Sequence, residues 1–166
     1  KSRQPIILAK AFITYVRPLL ESCSPAWFPH FIKDIKQIES VQRIFTKRLY
    51  SVQHMKYIDR INCLGLERLD VRRLRADVIF TYKIILGLTH LNMSDFFKFN
   101  TSSQFLRGHN YKLVSANCAT DCRRYFFSQR ILKVWNELPV STDFSSLNCF
   151  KNSLLRVNLS KHCLAI

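Results

Sequence analysis

Three sets of residues in this chain are of types that do chemistry. Cys118 and Cys122 have C-x₃-C spacing, and His162-Cys163 lies near the end. A zinc site needs four soft ligands converging tetrahedrally. An adjacent His and Cys rarely both reach one ion, and nothing pairs with the first two cysteines at suitable spacing, so free or buried thiols are the stronger reading. Two-metal phosphoryl chemistry needs carboxylates close together. Asp70 and Asp77 lie two helical turns apart with Arg73 between them, a pattern that suits salt bridging better. His30, His54 and His90 have no evident partner. With three glycines in the whole chain there is no phosphate loop, and no G-x-S-x-G is present. The residues therefore do not make a self-contained active site, and binding becomes the question.

Charge gives the direction. Lysine and arginine number 26 against 11 acids, a net +15. The excess is not a tail: residues 41–86 carry ten basic and four acidic groups, and 105–166 nine and three. Lys36, Arg43 and Lys47 repeat at helical spacing, as do Arg68, Arg72, Arg75 and Lys83. Rows of this kind can follow phosphates and release counterions. A merely solvated face mixes signs, and the shortage of acids favours nucleic acid. Two further stretches, "FLRGHNYKL" (105–113) and "CRRYFFSQR" (122–130), combine cations with aromatics, which suits stacking on single strands. An ordinary strand-turn with surface cations fits them equally. Phe127 and Trp135 share a helical face and read as core.

These groups need elements to position them. Residues 5–17 read as a largely apolar helix that Pro18 bends or ends. A proline-punctuated turn follows at 22–31. Residues 33–50 read as an amphipathic helix with Ile35, Ile38, Phe45 and Leu49 inward. A short helix, a break at Gly65 and a long helix from about 67 to 86 come next, with Val71, Leu74, Val78, Tyr82 and Ile85 as core stripe. Gly87 is its natural stop. Residues 88–104 are a polar connection with a turn of helix at 94–97. "YKLVSA" (111–116) is a candidate strand, 127–137 a helix stopped by Pro139, and 145–159 a last helix. That helix is capped by Ser145 or Ser146, with Leu147, Phe150, Leu154 and Leu155 inward.

Hydrophobic residues make up 48% of the chain, enough for a packed core. The six scattered cysteines read as reduced intracellular thiols. The basic-then-apolar start mimics a signal peptide, but Lys10 interrupts it and Tyr15-Val16-Arg17-Pro18 continues as helix. No apolar run approaches the length of a membrane span. The chain opens on Lys1 rather than Met, which reads as a fragment of a larger protein.

Four motifs in order resemble one family. "TYVRPLLESCSPAWFPHFIKDIKQIESVQRIFTKRL" (14–49) is similar to the segment after the polymerase palm in non-LTR, LINE-type retrotransposon reverse transcriptases, particularly the jockey-like group. "LGLERLDVRRLRADVIFTYKIILG" (64–87) resembles the next piece. "LRGHNYKL" and "FFSQRILKVWNELP" (126–139), with "SLNCFKNSL" (146–154) after them, resemble the C-terminal end. The resemblance covers nearly the whole chain. It implies a thumb and post-thumb region that grips template–primer duplex, the element's RNA or target DNA. By position, the grip would fall to Lys36, Arg43, Lys47, Arg48, Arg68, Arg72 and Arg75. Single-strand contacts would fall to Arg107, His109, Lys112, Arg123, Arg124 and Arg130. The palm with its Asp-Asp pair is absent, so the chain alone is not expected to be an enzyme or to hold a cofactor. Magnesium would belong to the parent RNA-directed DNA polymerase. The family's cysteine–histidine finger is not recognisable, and "LRVNLSKHCLAI" has no clear counterpart.

The expectation is a mostly α fold: a helical thumb-like bundle over 1–88, a linker at 89–104, and a smaller α or α+β module over 105–166. Expected partners are RNA or DNA and the missing palm domain of the same polypeptide, with no membrane, inside the cell in nucleus or cytoplasm. The rival expectation is a stand-alone helical protein-interaction remnant of a decayed element. Exposed apolar surface over 5–20 is expected if a missing domain normally covers it.

Overall fold

A computed structural model describes residues 4–100 and 108–163, and these are mostly helical. The helices are α1 (Pro5–Ala11), α2 (Arg17–Glu21), α3 (Ser24–Trp27), α4 (Ile32–Lys47), α5 (Tyr57–Cys63), α6 (Leu69–Ile85), α7 (Met93–Phe96), α8 (Asp121–Tyr125), α9 (Phe127–Arg130), α10 (Leu132–Asn136) and α11 (Leu147–Leu155). A π-helical turn (Phe12–Val16) joins α1 to α2, and a 3₁₀ turn (Leu159–His162) follows α11. No strand forms among the described residues. None of their helices is long and apolar enough to cross a membrane. The chain divides into two compact units, one running to Arg73 and the other from Leu74 to Cys163. This division falls within α6, whereas the sequence reading set its boundary in the 89–104 connection.

In the first unit, Pro18 does not end the opening helix. The ring of a proline collides with the carbonyl four residues earlier and offers no N–H. The π turn just before it widens the helix, with the Arg17 N–H reaching the Phe12 carbonyl, and helix resumes to Glu21. Phe12 stacks on Phe45 of α4 at 4.5 Å between ring centres. Helix α4 holds the least expected feature of the fold. Its buried residues are Ile35, Glu39, Gln42 and Thr46. The spacing is that of a core stripe, but three of the four side chains are polar.

Those polar groups bond one another and neighbouring helices, with one buried atom, Gln42 Oε1, lacking a hydrogen-bond partner among the described residues. Tyr57 of α5 donates its hydroxyl to Glu39 Oε1. Glu39 Oε2 accepts the N–H of Leu69, the first residue of α6, at 2.9 Å. Gln42 Nε2 donates to Tyr57 Oη at 3.0 Å and to the Glu67 carbonyl at 3.1 Å. Arg60 Nε donates to Thr46 Oγ1 at 3.2 Å and Arg60 Nη1 to the Met55 carbonyl at 2.6 Å. Burial pushes the Glu39 carboxyl up, while the bonds from Tyr57 and Leu69 pull it back; the net direction is upward. Burial likewise raises the Tyr57 phenol.

In the second unit the core is aromatic. Tyr82 of α6 stacks on Phe150 of α11 at 4.3 Å. Trp135 and Phe150 are fully buried, and Phe144 lies 5.7 Å from Trp135 and 4.8 Å from Tyr111. Phe127 is buried beside Phe80 and Phe97, so both aromatics of the 127–135 face are core, as their spacing implied. Gly87 ends α6 in a left-handed turn (φ +65°). There the Leu88 N–H reaches Lys83 and the Gly87 N–H reaches Ile84, the paired bonds of a Schellman stop. Ser146 caps α11 by accepting the Cys149 N–H. Phe150 and Leu154 point inward from α11, but Leu155 is exposed, because it falls one residue past the buried face.

The candidate strand at 111–116 reduces to one antiparallel bridge, Phe99 with Leu113. The Asn100 N–H reaches the Lys112 carbonyl and the Val114 N–H reaches the Lys98 carbonyl, each at 2.9 Å. The other edge is closed by a side chain. Asn136 accepts the Leu113 N–H at 2.9 Å and donates to the Leu113 carbonyl at 2.8 Å. Trp135 Nε1 donates to the Tyr111 carbonyl at 2.7 Å. The Trp-Asn pair thus fastens the 109–113 segment with side chains where a sheet would use a second strand. Asn136→Ala leaves two Leu113 peptide groups unpartnered, at about 1–3 kcal/mol each where they stay dry. Its urea midpoint is expected to fall well below that of wild type, whereas Asn152→Ala, on an exposed position, should leave it in place. Equal midpoints for the two variants would refute the clamp.

Candidate nucleic-acid interface

The cations expected to meet phosphate fall into two structural groups. Lys36, Arg43, Lys47 and Arg48 are exposed on α4 or at its end. At 100° per residue, Lys36, Arg43 and Lys47 lie in one row beside the buried polar face. Lys33 joins the same row and is also exposed. It was passed over in the sequence, although its i,i+3 spacing to Lys36 was visible there. Ser40 fills the gap between Lys36 and Arg43. The only acids of α4 are Asp34, on another side, and the buried Glu39. None of Lys33, Lys36, Arg43 or Lys47 makes a salt bridge among the described residues. From Lys33 to Lys47 the row is about 21 Å long at 1.5 Å per residue. That length spans roughly six phosphates of one strand in a duplex.

The polar core reaches this row. The Arg43 guanidinium lies over the Tyr57 ring at 4.8 Å, and Arg60 lies 5.6 Å from the same ring. Tyr57 is therefore both a partner of Glu39 and the seat of one exposed cation. This residue too carried no signal in the sequence beyond its type.

The α6 arginines are differently placed. Arg68 forms a two-pronged pair with Asp70, one bond of 3.0 Å. Arg72 forms another with Glu21, its Nη2 at 3.0 Å from Oε2, and those bonds raise its affinity for its proton. Arg75 is half-buried. Between them, Arg73 is 2% exposed, donates to the Leu20 carbonyl, and lies 4.7 Å from the Trp27 ring centre. Replacing Arg68 and Arg72 with acids would set like charges against Asp70 and Glu21, so any loss of binding would be mixed with loss of folding. Asp70 and Asp77 do find arginines, in Arg68 and, at 3.0 Å, Arg130.

In the second unit, Arg107 lies outside the described residues. His109 is 6% exposed. Its Nδ1 accepts the Tyr111 N–H at 3.2 Å, which makes Nε2 the protonated nitrogen facing the Trp135 carbonyl at 2.8 Å. Lys112 donates to the Asn136 carbonyl. Arg130 holds the fully buried Asp77 and donates to the Tyr125 carbonyl at 3.3 Å. Arg123 and Arg124 are exposed, the latter 3.0 Å from the equally exposed Asp121. Among the described residues no three His, Cys, Asp or Glu side chains gather as a metal site, and none of the six cysteines is in a disulfide.

The chain matches no family model, no curated protein and no solved structure.

Burial holds the His109 imidazole below its ordinary value, Lys112 adds to the effect, and the bond to Trp135 opposes it. The folded value lies below the unfolded one. The contribution of His109 is therefore complete above the ordinary imidazole range and is lost as pH falls through the folded value. Thermal melts between mildly alkaline and mildly acidic pH should show wild type losing stability on acidification, with a shallower loss in His109→Gln. Parallel pH profiles for the two would remove His109 from this role.

Proposed function

We propose that this chain is a nucleic-acid-holding segment of a non-LTR retrotransposon reverse transcriptase, corresponding to its thumb and C-terminal region. In this reading α4 grips the phosphates of a template–primer duplex while a palm elsewhere in the polypeptide performs the polymerisation. The observation that carries it is the α4 row: Lys33, Lys36, Arg43 and Lys47, all exposed and in no salt bridge among the described residues. The order of four sequence motifs supports the same family. Its mechanism is electrostatic and positional, and no catalysis is assigned to these residues.

A second reading has its own observation. Ile6, Ile7, Tyr15, Val16 and Leu19 are exposed on the opening helix, Leu19 by 78%. Apolar surface of this kind favours a covering body. The missing palm of the same polypeptide fits the first reading. A partner protein fits a stand-alone interaction remnant.

The test changes Lys33, Lys36 and Lys47 to Glu together and spares Arg43, which leans on Tyr57. Binding of a labelled RNA–DNA hybrid is followed by anisotropy over a range of KCl. Each lost phosphate contact removes close to one unit from the slope of log K against log salt. The variant should bind far more weakly, with a slope shallower by about three, and keep wild-type circular dichroism. A folded variant with unchanged affinity and slope would sink the grip.

A further inference from the structure

Phe126 is one of the exposed aromatics of the second unit, with Phe99 and Tyr125. It joins α8 to α9 in an extended conformation, and the residue is 46% exposed while Phe127 beside it is 4% exposed. Its backbone is held firmly. The Phe126 carbonyl accepts the N–H groups of Gln129 at 3.0 Å and Arg130 at 3.1 Å, and its own N–H reaches the Arg123 carbonyl. Thr120 caps α8 through the Arg123 N–H. A ring on a fixed backbone, turned to water and not needed by the core, is ready to take a flat partner.

The surrounding charges say which partner. The Arg123 guanidinium lies 5.9 Å from the Phe126 ring centre. Arg124 is exposed, and its pair with Asp121 joins side chains 60% and 74% exposed, a contact that water and salt weaken. Residues 127–136 are helical but for Ile131, which keeps helical backbone angles. Lys133 lies seven residues on, about 10 Å along the axis, and it is exposed. The acid of the next turn, Glu137, is taken up by Lys161 at 3.2 Å and His162 at 3.5 Å.

We propose, building on the nucleic-acid reading above, that Phe126 backed by Arg123 is a stacking platform for an unpaired nucleobase. Arg124 and Lys133 hold the flanking phosphates of that strand. A duplex base has both faces covered by its neighbours, so a lone protein ring selects single strands. An apolar protein partner would gain nothing from the exposed cations of this stretch.

The experiment compares a labelled oligothymidine with an abasic strand of the same phosphate count, using the full chain. Wild type should bind the thymidine strand more tightly by about five- to a hundredfold, the range of one stacked base. Phe126→Ala should erase that difference and keep the abasic affinity, and Phe126→Trp should restore it. Equal wild-type affinity for the two strands, or a difference that survives Phe126→Ala, overturns the platform and leaves the charge-based grip standing. Binding to neither strand, nor to the RNA–DNA hybrid, overturns both.

Discussion

The first unit depends on one buried carboxyl. Glu39, 1% exposed, takes the first N–H of α6 on one oxygen and the Tyr57 hydroxyl on the other. A helix begins with N–H groups that have no partner of their own and a partial positive charge. Glu39 answers both from a different helix. In doing so it ties α4, α5 and the start of α6 to a common point. Hydrophobic contact is non-directional and would let α4 rotate about its axis. Hydrogen bonds from Glu39 and Gln42 fix that rotation, and with it the side on which Lys33, Lys36, Arg43 and Lys47 meet water. Leaving one of these buried groups without its partner costs about 1–3 kcal/mol, and the network already carries one such atom in Gln42 Oε1.

The second unit uses side chains in place of a sheet. Asn136 presents an amide to Leu113 in the geometry of a neighbouring strand, and Trp135 adds its indole N–H to Tyr111. The residues that fasten this segment are the Trp-Asn of the same stretch that supplies Phe127 to the core. Lys112 and His109, cations or potential cations by sequence, are drawn into the same fastening through the Asn136 and Trp135 carbonyls. Arg123, Arg124 and Lys133 of the same stretch stay exposed, and Arg123 lies 5.9 Å from the Phe126 ring centre.

Much of the helical framework was legible because its signals are local. The α4 and α6 periodicities, the Gly87 stop and the Ser146 cap depend on residues within a few positions of one another. The polar stripe of α4 was not legible. Glu39, Gln42 and Thr46 have the types of a solvated face, and only Tyr57, Leu69 and Arg60, far along the chain, make them core. The same non-locality hid the fate of Arg72 and Arg130, whose carboxylates come from Glu21 and Asp77, whereas Arg68 pairs with Asp70 only two residues away. A lone strand at 111–116 was read from alternation, yet its pairing partners are a single residue, Phe99, and a side-chain amide. For the candidate interface, charge and spacing found Lys36, Arg43 and Lys47. They could not separate exposed cations from those the fold employs.

The row on α4 and the network beneath it make one claim: a rigid polar core presents cations to an extended polyanion. Backbone amide shifts of the full chain titrated with a short RNA–DNA hybrid test it directly. The expected result is perturbation concentrated at Lys33, Lys36, Ser40, Arg43 and Lys47, with Leu69 and other amides of the buried network unmoved. Perturbation centred on Ile6, Ile7, Tyr15 and Leu19 with α4 silent, or none anywhere, would contradict it.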